Sequence, residues 1–126
     1  MKLHWMNTTF GLAIKLSQLG EEHPDTAESF GAIGIGLFCR GYFDGSLVEF
    51  KKCLATQESC LGTSHAHTAS SCSNIGGVLK AKGDYDGALE QCNKVLAIRE
   101  KELGFNHPDT AAAHFNIDCV LEAKGD

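Results

Sequence analysis

The sequence has little of what several functional classes require. It contains only two prolines, Pro24 and Pro108, so long helices can run uninterrupted. Because phosphate contacts need clustered lysine and arginine, a net charge of −5 without basic blocks disfavours nucleic-acid binding. No apolar run approaches the roughly 20 residues of a membrane span, and polar residues interrupt positions 1–20 too often for a signal peptide. We therefore expect a cytoplasmic protein without membrane or nucleic-acid partners.

Six cysteines invite a disulfide or zinc interpretation, but the sequence has no Cys-x-x-Cys pair. Most of the six fall where a helix would carry an apolar residue, and free cysteine packs as a small hydrophobe. We therefore expect reduced core thiols in a cytosolic protein. The cysteines are Cys39, Cys53, Cys60, Cys72, Cys92 and Cys119.

What the sequence does contain is an internal repeat with a period of 42 residues. A Leu-Gly pair, a histidine and a glycine-bounded segment each recur at that spacing. A fixed period of this size predicts a repeat array, in which each unit buries its apolar face against its neighbours. The recurring motifs are Leu19-Gly20, Leu61-Gly62 and Leu103-Gly104; His23, His65 and His107; and the segments 41–45 and 83–87.

The stretch 85–103 shows the helical pattern most clearly. Its apolar residues follow three-four spacing and form one stripe. Glu90 stands four residues before Lys94, the favourable order for a helical ion pair, and Gly104 follows as a helix-ending glycine. The stripe consists of Tyr85, Ala88, Leu89, Cys92, Val95, Leu96 and Leu103.

The segment His107-Pro108-Asp109-Thr110 predicts a helix start rather than a catalytic cluster. Proline suits the first helical position, and an acid in the first turn is favoured by the helix dipole. The segment 23–26 has the same four residues. Its middle copy, residues 65–68, lacks the proline and the acid, so we expect a less sharply defined start there.

These signals predict an all-α fold, an α-solenoid of stacked helical hairpins. The connections of two to five residues force neighbouring helices to be antiparallel. Gly31, Gly34 and Gly36 are interpreted as packing positions, because their spacing is not a dinucleotide fingerprint and no strand precedes them. Six helices are expected, at 2–19, 24–40, 43–61, 66–82, 85–103 and 108–124.

Residues 83–110 resemble a tetratricopeptide repeat (TPR). The matching motifs are Gly83-Asp84-Tyr85-Asp86-x-Ala88-Leu89-Glu90, Lys94-Val95-Leu96-Ala97-Ile98-Arg99-Glu100 and Leu103-Gly104-x-x-His107-Pro108-Asp109-Thr110. An ordinary TPR unit has about 34 residues, and the 42-residue form is that of kinesin light chains and related proteins. The resemblance covers 19–126 well and 1–18 by register. It divides a single array into 1–20, the degenerate second helix of a preceding repeat; the repeats 21–62 and 63–104; and 105–126, the first helix of an incomplete repeat.

The resemblance implies a right-handed superhelix whose first helices line a concave groove for a peptide or partner segment. Asn74 and Asn116 match a groove asparagine, whose amide can donate to and accept from a peptide backbone. Apolar pockets are implied around Ile35, Phe38 and Phe115. The expected groove-binding residues are Ile35, Phe38, Ser70, Ser73, Asn74, Lys80, Phe115, Asn116 and Glu122. The same register places Glu28, Ala32, Gly77, Ala112 and Cys119 on this face.

Two departures from the family pattern concern the groove. Ala32 stands where the first groove helix would carry its asparagine. The groove has little positive charge beyond Lys80, whereas kinesin light chains favour acidic cargo peptides. The resemblance therefore implies an adaptor or scaffold without naming its partner.

Two alternatives remain open. Helix 108–124 presents more apolar residues than one neighbour can bury, among them Phe115, Ile117, Val120 and Leu121, so the terminal helices could join copies of the chain into a homo-oligomer. Cys60, His65 and His67 could supply three zinc ligands, although their spacing matches no standard zinc module. No orienting acid or oxyanion donor accompanies Cys60 and His65, so neither an enzyme nor a cofactor is predicted.

Overall fold

The computed structural model describes residues 24–62 and 65–125. Within these ranges the chain forms five α-helices and no strand. They are α1 (Pro24–Cys39), α2 (Phe43–Leu61), α3 (Ala66–Ala81), α4 (Tyr85–Leu103) and α5 (Pro108–Lys124). The five predicted helices from 24 onward are confirmed to within one residue at either end, and the predicted helix 2–19 lies outside the described residues.

The described helices belong to two compact units, with a boundary between Thr63 and Ser64. The first unit contains the hairpin of α1 and α2, whose helices pack against each other. In the second, α4 packs against both α3 and α5. No described helix combines the length and the hydropathy that crossing a membrane demands.

The core of the first unit lies between α1 and α2. Its buried cluster comprises Ala27, Phe30, Ile33 and Cys53, with the partly buried Leu37 packed against it. Further along the same interface Ser46 Oγ donates to the carbonyl oxygen of Gly34 over 2.7 Å. This buried bond gives the hydroxyl a partner inside the hairpin, as a buried polar group requires.

The core of the second unit is built around α4. Val95 and Ile98 are buried, and so is the full side chain of Ala88. Leu103, which was predicted to lie on the apolar stripe of this helix, is 37% exposed. Leu103 is the last residue of α4 and lies beyond Ile98, the last buried residue of that helix. The cluster formed with α5 comprises Ala88, Cys92 and Val120, with Leu79, Tyr85, Leu89 and Ile117 packed around it.

Glycines end the second helix of each hairpin, as predicted. Gly62 follows α2 with φ +91°, and Gly104 follows α4 with φ +84°. Both amides donate back into the last helical turn, to the carbonyls of Glu58 and Glu100 respectively. A side chain at either position would be strained in this left-handed conformation.

Histidines begin α3 and α5 in the same way. His107 is the N-cap of α5, and its Nδ1 accepts the backbone N–H of Asp109 over 3.0 Å. At α3 the Nδ1 of His65 accepts the N–H of His67, also over 3.0 Å. The expected helix start at 107–110 is confirmed. The expectation of a less sharply defined start at 65–68 was wrong, because the ring nitrogen of His65 caps the helix without the proline or the acid.

The cysteines only partly follow the expectation of core thiols. None of the six, all of which lie in the described ranges, is part of a disulfide, and Cys53, Cys72 and Cys92 are buried. Cys39 and Cys60 are exposed, and Cys119 is intermediate. The expectation failed for Cys39 and Cys60, which lie in the last turns of α1 and α2.

Candidate binding cleft

The second unit contains a cleft of about 260 Å³. Residues of α3 and α5 form most of its lining, and α4 contributes one residue, Cys92. The lining residues are Ser73, Gly76, Gly77, Lys80, Cys92, Asn116, Cys119 and Val120. The cleft is therefore made from consecutive helices of one compact unit.

Two adjacent glycines of α3 shape this cleft. A Cβ added at Gly76 would lie 3.4 Å from Gln91 Cβ and 3.7 Å from Cys92 Sγ, so α3 approaches α4 closely there. A Cβ added at Gly77 would meet nothing within 4 Å. Gly76 thus serves helix packing, whereas Gly77 leaves open space along the α3 wall.

Three polar side chains are in contact with the cleft: Ser73, Lys80 and Asn116. Each is partly buried. Ser73 and Asn116 also line the smaller adjoining pocket beside Val95 and Ala113. A half-buried amide can form hydrogen bonds with a ligand that are less exposed to competing water than those of a surface residue.

The thiol of Cys92 is kept neutral by its surroundings. Burial raises its pKa, because an apolar environment disfavours the thiolate, and the nearby Lys80 ammonium only partly offsets this effect. The cleft consequently presents a protonated thiol and one cation rather than an activated nucleophile.

The predicted groove residues fall into three groups. Ser73, Lys80 and Asn116 line the cleft, together with Gly77 and Cys119. Ser70, Asn74, Phe115 and Glu122 lie in the same unit and are exposed, but they are not among the lining residues. Ile35 and Phe38 lie in the first unit, 52% and 37% exposed, and the ring of Phe38 lies 5.4 Å from that of Phe43.

Sequence reasoning missed Gly76, Cys92 and Val120 as parts of this cleft. Cys92 and Val120 were assigned only to apolar helix faces, and both are indeed buried. A signal was present in the repeat, because Cys92 stands 42 residues after Phe50. A change from a large ring to a small thiol at equivalent positions indicates space that one repeat fills and the other leaves open.

The alternative metal-binding cluster has the following geometry. The rings of His65 and His67 lie edge to face with centroids 5.0 Å apart, and His65 Nδ1 is engaged as the cap of α3. Across residues 24–62 and 65–125, no group of three or more histidine, cysteine or acidic side chains is arranged to hold a metal ion.

Comparisons with known proteins bear on the fold. Residues 68–109 match the family model of the tetratricopeptide repeat, a span equal to one period of the internal repeat. Among curated proteins no relative matches.

Two solved structures share the fold. TPR-like repeats assigned to a kinesin light chain of Podosopora anserina superpose with a TM-score of 0.86 at 22% identity, over 96% of this chain and 57% of that one. BtubC (BKLC) from P. vanneervenii gives a TM-score of 0.88 at 23% identity, over 97% of this chain and 49% of that one. This chain thus spans about half the length of the structures that it matches. Residues 68–109 thus match the tetratricopeptide repeat, and the chain shares the all-helical fold of these TPR-like structures.

Proposed function

We propose that this chain is a protein-interaction module that binds a segment of a partner protein in the cleft of its second unit, as an adaptor or scaffold. Helical repeat arrays generally use their concave surfaces for binding. The observation that carries the proposal is the 260 Å³ cleft, where the partly buried Asn116 and Ser73 stand beside apolar and glycine surface. Such a surface suits an extended segment, whose backbone needs hydrogen bonds and whose side chains need apolar contact.

Asn116 has the central role in this proposal. Its amide offers both donors and an acceptor to a passing peptide unit, and it is partly buried in the lining of the cleft. Asn74, 42 residues earlier, is exposed on α3 and would contact a segment that extends beyond the cleft. Six cysteines without a disulfide in the described chain support a cytoplasmic setting, because reducing compartments preserve thiols.

The test compares partner capture by three versions of the chain. The double variant Asn74→Ala/Asn116→Ala should lose a partner captured by the unaltered protein, since truncating both amides removes the backbone contacts. Asn93→Ala is the matched control, because Asn93 is an exposed asparagine of α4 that does not line the cleft. Equal capture by all three proteins, at equal helicity by circular dichroism, would contradict the proposal.

Self-assembly is the second candidate, and exposed aromatic residues of the second unit favour it. Phe115 on α5 is 65% exposed, and Phe105 in the loop before α5 is 74% exposed. Exposed rings of this kind are common at protein interfaces. Mass measured by light scattering should rise with concentration and should return to the monomer value in Phe115→Ser. A monomer mass at every concentration would leave segment binding as the remaining candidate.

A further inference from the structure

Histidine rings hold the starts of α3 and α5 through a nitrogen that accepts a hydrogen bond. The Nδ1 atom of His65 accepts the backbone N–H of His67 over 3.0 Å, and that of His107 accepts the N–H of Asp109 over 3.0 Å. An imidazole nitrogen can accept a hydrogen bond only while it carries no proton, and in the charged ring both nitrogens are donors. Both caps therefore exist only while the rings are neutral.

Protonation of either ring would act on its helix in two ways. It would remove the acceptor of a first-turn amide, and it would place a positive charge at the end of the helix where the backbone dipole is already positive. Both rings can reach solvent, since His65 and His107 are only partly buried. Imidazole is the side chain whose charge ordinarily changes between about pH 5 and 8, so mild acid is enough to supply the proton.

The residue two positions after the cap differs between the two starts. At α5 it is Asp109, whose Oδ2 lies 3.9 Å from His107 Nδ1, so a charged His107 finds an acceptor in place of the amide. At α3 the equivalent residue is His67, and the centroid of its ring lies 5.0 Å from that of His65. A second imidazole gains charge under the same conditions, and two positive rings repel each other. Acid therefore weakens the start of α3 but leaves the start of α5 with a replacement contact.

The charged groups of α4, which packs against both α3 and α5, favour the same difference. Its Arg99 donates to the carbonyl of Asp109 over 3.1 Å and so holds the start of α5 in place. Three acids of α4 are engaged with residues other than His65, and the fourth, Glu102, is exposed. The three pairs are Glu90 with Lys94, Glu100 with His114 and Asp86 with Lys124.

We infer that the start of α3 is an acid-sensitive switch, in which protonation of His65 loosens the first helical turn while the start of α5 remains closed. The backbone bond from the Ala69 N–H to the His65 carbonyl belongs to that turn, and its counterpart in α5 runs from Ala111 to His107. The boundary between the two compact units lies just before His65. Acid therefore lengthens the chain segment that joins the two units, whatever the cleft binds.

The test measures amide hydrogen exchange by NMR in the full chain at about pH 7.5 and at about pH 5.5. Each exchange rate is expressed as a protection factor relative to an unstructured peptide at the same pH, so the intrinsic effect of pH on exchange cancels. The protection factor of Ala69 should fall about fivefold on acidification, the effect of losing one side-chain cap. That of Ala111 should change little. An unchanged protection factor at Ala69, or equal falls at the two positions, would overturn the inference.

His65→Asn is the decisive variant, because asparagine caps a helix and carries no titratable group. The protection factor of Ala69 in this variant should be the same at both pH values. His67→Asn is the matched control, since it removes the neighbouring ring but keeps the cap, and the fall at Ala69 should persist. His67→Asp gives α3 the acid that α5 has and should reduce the fall. A fall as large in His65→Asn as in the unaltered chain, or one that disappears in His67→Asn, would overturn the inference.

Discussion

The ring of Phe50 packs directly against the backbone of Gly34, so closely that two of its carbons would lie 2.7 Å from any Cβ at that position. Gly34 is therefore required by the packing of α1 on α2. This contact explains a glycine in the middle of a helix, where it otherwise costs about 1 kcal/mol relative to alanine.

Gly34→Ala should lower the free energy of unfolding by about 1–3 kcal/mol, because the methyl group forces the Phe50 ring to move in a packed core. Gly77→Ala is the matched change in α3. It should raise stability by about 0.4–1 kcal/mol, since its methyl meets open space and alanine restricts the unfolded chain. Urea unfolding measures both, and changes of the same sign would contradict this account.

Ser46→Ala should destabilise the first unit by about 1 kcal/mol, because it removes the buried 2.7 Å hydrogen bond to the Gly34 carbonyl. Ser70→Ala serves as its control. The Ser70 hydroxyl donates to the Ala66 carbonyl at an exposed site over 3.3 Å, and alanine is the better helix former. Thermal unfolding should therefore show a larger loss of stability for Ser46→Ala than for Ser70→Ala. Equal losses of stability would mean that the buried Ser46 hydrogen bond contributes no more than the exposed Ser70 bond.

His107→Ala should lower the unfolding free energy by about 0.5–2 kcal/mol, the usual cost of losing a side-chain N-cap. His107→Asn should restore most of it, because asparagine also accepts a first-turn amide proton. His114→Ala is the control: the imidazole of His114 lies 3.7 Å from Glu100 on an exposed surface, where a pair contributes about 0–1 kcal/mol. Failure of asparagine to restore stability would exclude capping as the role of His107.

The raised pKa of Cys92 makes stability depend on alkaline pH. The unfolded chain loses this thiol proton near pH 8.5, whereas the folded chain holds it to higher pH because burial disfavours the thiolate. Unfolding at alkaline pH therefore releases a proton. The contribution of Cys92 to the free energy of unfolding is greatest below the pKa of the unfolded chain and falls as the pH rises through that value. Urea midpoints between pH 7 and pH 10, in a reducing buffer, should decline more steeply for the unaltered chain than for Cys92→Ala. The same dependence of the urea midpoint on pH in both proteins would contradict a raised pKa of Cys92.

Thiol labelling should follow burial. Cys39 and Cys60 are exposed and should react first with a maleimide, whereas Cys53, Cys72 and Cys92 are buried and should react only as the units open. Peptide mapping after a timed reaction gives the order. Early labelling of Cys92 would contradict its burial.

The sequence by itself determined where the helices lie and where they begin and end. Helix periodicity, the glycines after α2 and α4, and the helix start at 107–110 depend on residues within one or two turns, so one chain segment is enough to reveal them. The repeat register also makes Gly76 equivalent to Gly34 and Cys92 equivalent to Phe50.

Only the tertiary structure decided which of the predicted groove residues line the same cleft. Ser73 and Asn116 line one cleft, whereas the exposed Asn74 lies outside its lining, although the register treats Asn74 and Asn116 alike. The physical reason is that the size of a cleft depends on how closely its helices pack. That distance is set by the volumes of side chains that lie far apart in the chain. Gly76 lets α3 approach α4 closely, whereas Gly77 leaves open space in the cleft, and the local sequence pattern does not distinguish the two.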